Sequence, residues 1–128
     1  MTTLGVGVDI VDVPRFALAL QRHPTIVDRL FTPSELEDSR SRPERLAARF
    51  AAKEAVLKTL SVGFGAAPWK SIEIRRDANG APSVLLHDVA ALLAEQRGVH
   101  TLHVSLSHTE LTAAAFVVGS SKDINLAR

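Results

Sequence analysis

The sequence predicts an α+β domain in which a small, mostly antiparallel sheet packs against one long helix. Alternating and helical stretches follow one another in the order strand, helices, hairpin, helix, hairpin. One long helical segment stands near the middle of the chain. The length, 128 residues, suits a single domain able to bury roughly two-thirds of its unfolded surface.

Each element has a local reason. Residues 4–11, Leu-Gly-Val-Gly-Val-Asp-Ile-Val, alternate and are β-branched, which is a strand pattern. Pro14 opens a helix over Arg15–Gln21, and Pro24 interrupts it. Thr32-Pro-Ser-Glu35 reads as an N-cap, a first-position proline and a first-turn acid. Pro43 begins the long helix, which runs to Leu60 and should span ~27 Å. The loop Ser61-Val-Gly-Phe-Gly65 follows. Ser71–Arg75 and Ser83–Leu86 flank Asn79-Gly80, a strong hairpin signal. His87–Gln96 forms a short helix closed by Gly98, and His100–Ser107 with Thr112–Val118 forms a second hairpin. Residues 1–119 are thus expected to make one domain, with 120–128 a flexible tail.

Composition narrows the function classes. Hydrophobic residues at 46% and charged residues at 23% are ordinary for a soluble protein. No apolar run approaches the ~20 residues of a membrane helix, and no signal peptide is legible, so no membrane partner is expected. With no cysteine there is no disulfide, thiolate nucleophile or cysteine-ligated zinc, which fits a cytoplasmic protein. A net charge of +1 argues against a nucleic-acid partner.

Asp9 stands out first. Alternation puts Leu4, Val6, Val8 and Ile10 on one strand face and Gly5, Gly7 and Asp9 on the other. The glycines leave room for something to approach the backbone beside the acid. Ile10 occupies the third-glycine position of a dinucleotide fingerprint and excludes that motif. In the long helix, Glu54 and Lys58 stand at i,i+4 and could form a surface ion pair, while Arg45, Arg49 and Lys53 could form a solvated basic stripe. However, Glu54 follows Leu46 and Phe50 at four-residue steps, on the edge of the apolar face. Joined to Asp9, it would make a pair of hard oxygen donors suited to Mg²⁺. His108 follows Ser105 and Ser107 at a strand–turn junction, where it could donate to an anion or merely face solvent.

Three segments close the question of family: Gly5-Val-Gly-Val-Asp9-Ile-Val-Asp12, Arg49-Phe-Ala-Ala-Lys-Glu-Ala-Val-Leu-Lys58 and Val104-Ser-Leu-Ser-His-Thr109. In that order they resemble the signature segments of the short 4′-phosphopantetheinyl transferases. Arg15, Phe31-Thr-Pro-Ser-Glu35, the glycine loop, Ile72-Glu-Ile-Arg75, Asn79-Gly80 and the alanine-rich last strand extend the likeness over nearly the whole chain.

The resemblance implies a phosphopantetheinyl transferase-like fold and Mg²⁺-dependent transfer of 4′-phosphopantetheine from coenzyme A to a serine of apo acyl carrier protein. Adenosine 3′,5′-bisphosphate would be the other product. On this likeness Asp9 and Glu54 hold the metal and Lys58 stabilises the departing phosphate. Glu54, directly or through a water, is a candidate base for the serine. Arg49, Lys53 and His108 become coenzyme A phosphate contacts, with Ser107 and Thr109 beside His108 and with Gly63 and Gly65 against the nucleotide. Arg15 matches the family position that meets the carrier's acidic helix. Arg22 joins it by helical spacing. The family also implies a homotrimer whose sites lie at subunit interfaces, with His108 supplied by the neighbour. Two other readings use the same residues: a transferase for the carrier domain of a large fatty-acid or polyketide synthase, and a catalytically silent oligomer that binds nucleotide or carrier.

Overall fold

A computed structural model describes residues 1–123. Its elements are β1 (Thr3–Asp12), α1 (Val13–Arg22), α2 (Thr25–Leu30), α3 (Pro33–Ser39), α4 (Pro43–Thr59), β2 (Ile72–Arg76), β3 (Pro82–Leu86), α5 (Asp88–Gln96), β4 (Thr101–His108) and β5 (Thr112–Ser120). The expected α+β order is present. The sheet, however, is in two pieces, a three-stranded β1-β5-β4 and a separate β2-β3 hairpin. All pairings are antiparallel.

The starts and stops follow the local chemistry. Asp12 caps α1 by accepting the Arg15 N–H at 2.9 Å, and Pro14 occupies its first turn. Thr32 and Glu35 make a reciprocal capping box at α3. Pro43 opens α4, whose last residue is Thr59. Helix α2 carries apolar Ile26, Val27 and Leu30 but is too short for a periodic signal, and sequence reading passed over it. The Asn79-Gly80 hairpin closes through a longer connection than a two-residue turn. Only Gly80 has positive φ there, and the Asp77 carboxylate accepts the Asn79 and Ala81 N–H groups. Strand β5 continues through Ser120, whose carbonyl accepts the His100 N–H, so the expected tail does not begin there. Residues 124–128 of that tail lie outside the described residues.

Helix α4 is the centre of the core. Ala47, Ala48, Ala51, Ala52 and Ala55 are buried along it, facing Ala113, Ala115 and Val117 of β5. Small residues on both sides let the helix lie close to the sheet. The approach is closest at β1, where a Cβ at Gly5 would run into Thr59 O and one at Gly7 into Ala55 O. The glycine face of β1 is therefore the helix-covered face. Leu4, Val6, Val8 and Ile10 point away from the helix and are exposed.

Candidate active site

The close approach of α4 to β1 builds the first half of the site. Gly5 sits under Thr59 and Gly7 under Ala55, so Asp9 emerges beside the preceding turn of α4. There Lys58 Nζ donates to Asp9 Oδ1 at 3.2 Å and to the Val8 carbonyl at 2.9 Å. Glu54 faces the same carboxylate. Burial pushes its carboxyl up to about 7, the neighbouring Asp9 adds to the shift, and Lys58 offsets only part of it. A half-buried pair of carboxylates with one partly exposed lysine is therefore short of positive charge.

That donor set fits Mg²⁺. Both carboxylates offer hard oxygens, and no group of three or more carboxylate, histidine or cysteine side chains able to hold a metal ion by themselves occurs among the described residues. Such an ion commonly takes one or two carboxylates and leaves its other positions to water and substrate phosphate. Beside this pair, Leu57, Val62, Gly63 and Phe64 line a cavity of about 130 Å³ with Glu54 and Lys58 at its edge. Gly63 thus shares this cavity with Glu54 and Lys58. Gly65 faces a different cavity, shared with Trp69 and Lys70.

The second half lies on the other side of α4. Arg45, Arg49, Arg76, Gly80, Pro82 and His108 line a cavity of about 290 Å³. Arg49 is buried there, its Nη1 donating to the Arg45 carbonyl at 3.2 Å and its Nε without a partner among the described residues. Arg49 has Asp38 and Glu35 near it as well as Arg76 and Arg45, and its unsatisfied buried guanidinium nitrogen is still open to a further anion. Arg45 and Glu54 stand about 180° apart around the helix axis, so the two halves open on opposite sides of α4.

Lys53 and Ser107 fall outside the two half-sites. Lys53 is corrected: it is 0% exposed, and its amine donates to Glu35 Oε1 at 2.8 Å, the Trp69 carbonyl at 3.0 Å and the Ile72 carbonyl at 2.5 Å. Each ammonium proton is taken, so none is left for a phosphate. Burial lowers its pKa, against the pull of Glu35. Ser107 is exposed on the face of β4 opposite to Leu106 and His108, and the structure does not bring it to the anion pocket. Thr109 Oγ1 accepts the Leu111 and Thr112 N–H groups and so holds the β4–β5 turn. Arg15 and Arg22 are both exposed on α1.

Sequence reading missed Arg76, the link from Glu35 to Lys53 and β2, and the role of Arg45. The i,i+4 spacing of Arg45 and Arg49 was a usable signal for a shared face. Arg76 gave none, and the capping position of Glu35 said nothing of Lys53 and Ile74, its partners distant in the chain.

Comparison with known proteins adds a second line. The model of the 4′-phosphopantetheinyl transferase superfamily matches residues 5–117. A holo-[acyl-carrier-protein] synthase of Clavibacter sepedonicus is 50% identical over 115 residues, covering 89% of this chain and 92% of the relative. One from Moorella thermoacetica is 46% identical over 121 residues, covering 92% and 94%. The crystal structure of the Helicobacter pylori holo-[acyl-carrier-protein] synthase in complex with coenzyme A superimposes with a TM-score of 0.82. It is 30% identical and covers 90% of this chain and 99% of that one.

Proposed function

This chain belongs to the 4′-phosphopantetheinyl transferase superfamily, and we propose how its two half-sites carry out that chemistry. It transfers the 4′-phosphopantetheine arm of coenzyme A to a serine hydroxyl of apo acyl carrier protein, giving holo carrier and adenosine 3′,5′-bisphosphate. The observation that carries the reading is Asp9 meeting Glu54 and Lys58 where β1 crosses α4.

In this reading Asp9 and Glu54 hold Mg²⁺. When bound, the ion offsets the negative charge of the pyrophosphate as the phosphoryl group is transferred. Lys58, with its side chain 54% exposed, can turn from Asp9 to the departing phosphate. Glu54, directly or through a water, is the candidate to take the serine proton. The cluster of Arg45, Arg49, Arg76 and His108 binds the phosphates at the nucleotide end of coenzyme A.

Because the two halves lie on opposite sides of α4, one ligand needs an acid half from one copy and a basic half from the next. The exposed outer face of β1 and β5 supports such an assembly. Val8 is 52% and Phe116 48% exposed, and they pair across the strands among Leu4, Val6 and Ile10. A homotrimer with shared sites is the assembly we propose. For the carrier, exposed Arg15, Leu18 and Arg22 on α1 offer cations around an apolar contact, which suits an acidic helix. A cytoplasmic enzyme is consistent with the absence of cysteine.

Intact-mass spectrometry of apo acyl carrier protein incubated with this chain, coenzyme A and Mg²⁺ tests the reading. A gain of about 340 Da, lost with EDTA and with Glu54→Gln, is expected. No gain on the free carrier but a gain on an excised synthase carrier domain redirects the substrate. No gain on either, with nucleotide still bound, leaves a silent binder.

A further inference from the structure

The β2–β3 hairpin carries one wall of the anion pocket, through Arg76, Gly80 and Pro82, while α4 and β4 carry the other. Among the described residues no backbone ladder joins the hairpin to the main sheet. Apolar packing of Ile72 and Ile74 with α4 holds the hairpin to the core, and directional bonds must set how far apart those walls stand.

The outer edge of β2 supplies the answer, because side chains stand there in place of a neighbouring strand. Its Ile72 carbonyl accepts from Lys53 Nζ, its Ile74 N–H donates to Glu35 Oε2 at 3.0 Å, and its Arg76 N–H donates to Asp38 Oδ2 at 3.3 Å. Thr32 Oγ1 adds a bond to Glu73 Oε2 from the same side. Lys53 and Glu35 are each 0% exposed and bonded to each other, so this clasp is shielded from water and stiff. Lys53 also sits on α4 beside Glu54 and one turn beyond Arg49. A fully buried ion pair is a poor source of net stability, since well-packed neutral groups often serve as well. Its value here lies in direction: charged groups accept or donate at fixed points, and they tie the hairpin to the helix that carries Arg49.

We propose that Lys53 and Glu35 are positioning residues for the nucleotide end of coenzyme A. By clasping the edge of β2 they set the separation of Arg76 and Gly80 from Arg49 and His108. The proposal rests on the transferase reading above, and it assigns Lys53 a role through the hairpin and not through phosphate contact.

The test uses the full chain in its native assembly, comparing wild type with the neutral pair Glu35→Gln/Lys53→Met. Calorimetric Kd for adenosine 3′,5′-bisphosphate and steady-state KM and kcat for coenzyme A are the readouts. We expect Kd and KM to rise at least about tenfold with kcat within about threefold, as for a misplaced binding wall. Hydrogen exchange at the Ile74 and Arg76 amides should quicken in parallel. If the double variant does not fold, Asp38→Asn loosens the same edge from the surface and should raise KM at least about threefold. Folded variants with unchanged Kd and KM overturn the proposal and leave the transferase reading standing. A wild-type chain that binds neither coenzyme A nor the bisphosphate overturns both.

Discussion

Glu54 and Lys53 are neighbours on α4, yet the fold treats their charges in opposite ways. Lys53 is fully buried and fully bonded, whereas Glu54 is half-buried against Asp9 with too little positive charge nearby, which raises its carboxyl to about 7. The consequence for pH has a definite sign. Below its ordinary value of 4.5 the group is protonated in both folded and unfolded chains and contributes nothing. Between 4.5 and about 7 only the unfolded chain ionises, so metal-free stability falls as pH rises through that window and levels off above it. Magnesium competes with the same proton. Its apparent affinity should therefore climb by up to about tenfold per pH unit below pH 7 and flatten above. Titration calorimetry between about pH 5.5 and 8.5 checks this, and an affinity independent of pH would rule out Glu54 as a ligand. Glu54→Gln should erase the dependence and slow transfer by at least about a hundredfold while the fold persists.

At the scale of elements, the site is a by-product of how closely a helix can lie on a strand. Gly7 has no positive φ, and its role is to leave space for the Ala55 carbonyl. Gly7→Ala should cost about 1–3 kcal/mol or more in urea unfolding, because backbone stands where the methyl would go. The same change should lower kcat by shifting Glu54 relative to Asp9. Gly63 has open space around it, so Gly63→Ala should leave the urea midpoint nearly unchanged. Helix α1 makes a separate prediction. If Arg15 and Arg22 steer an acidic carrier, KM for the carrier should rise with salt while that for coenzyme A changes less. Reversal to Arg15→Glu/Arg22→Glu should remove most of the salt effect, and a flat salt response in wild type would reject this surface.

For the whole molecule, the opposed placement of acids and arginines on α4 predicts an obligate assembly. Subunits carrying Asp9→Ala, mixed with subunits carrying His108→Ala, should regain a part of wild-type activity once exchange is verified by mass. Each mixed interface can then pair an intact acid half with an intact basic half. No recovery despite exchange means that the site is complete within one chain. Phe116→Asp, placed on the exposed sheet face, should yield monomers by light scattering and abolish transfer even though it touches neither half.

The amino-acid order by itself determined the elements other than α2, because caps, prolines and periodicity act over a few residues. Asp12, Thr32 and Pro43 start helices where local chemistry says they should, and the spacing of Glu54 and Lys58 already put them one turn apart. Asp9 was legible as the acid on a glycine-cleared face. Tertiary structure alone decided which face of β1 the helix covers, that Lys53 is a buried clasp, and that Arg76 joins Arg45, Arg49 and His108. It also broke the expected sheet in two. Alternation defines two faces without saying which one meets a helix, and a lysine in a helix looks the same whether its amine reaches water or Glu35. Burial and charge partnership depend on segments far apart in the chain, so they come into being only when those segments meet.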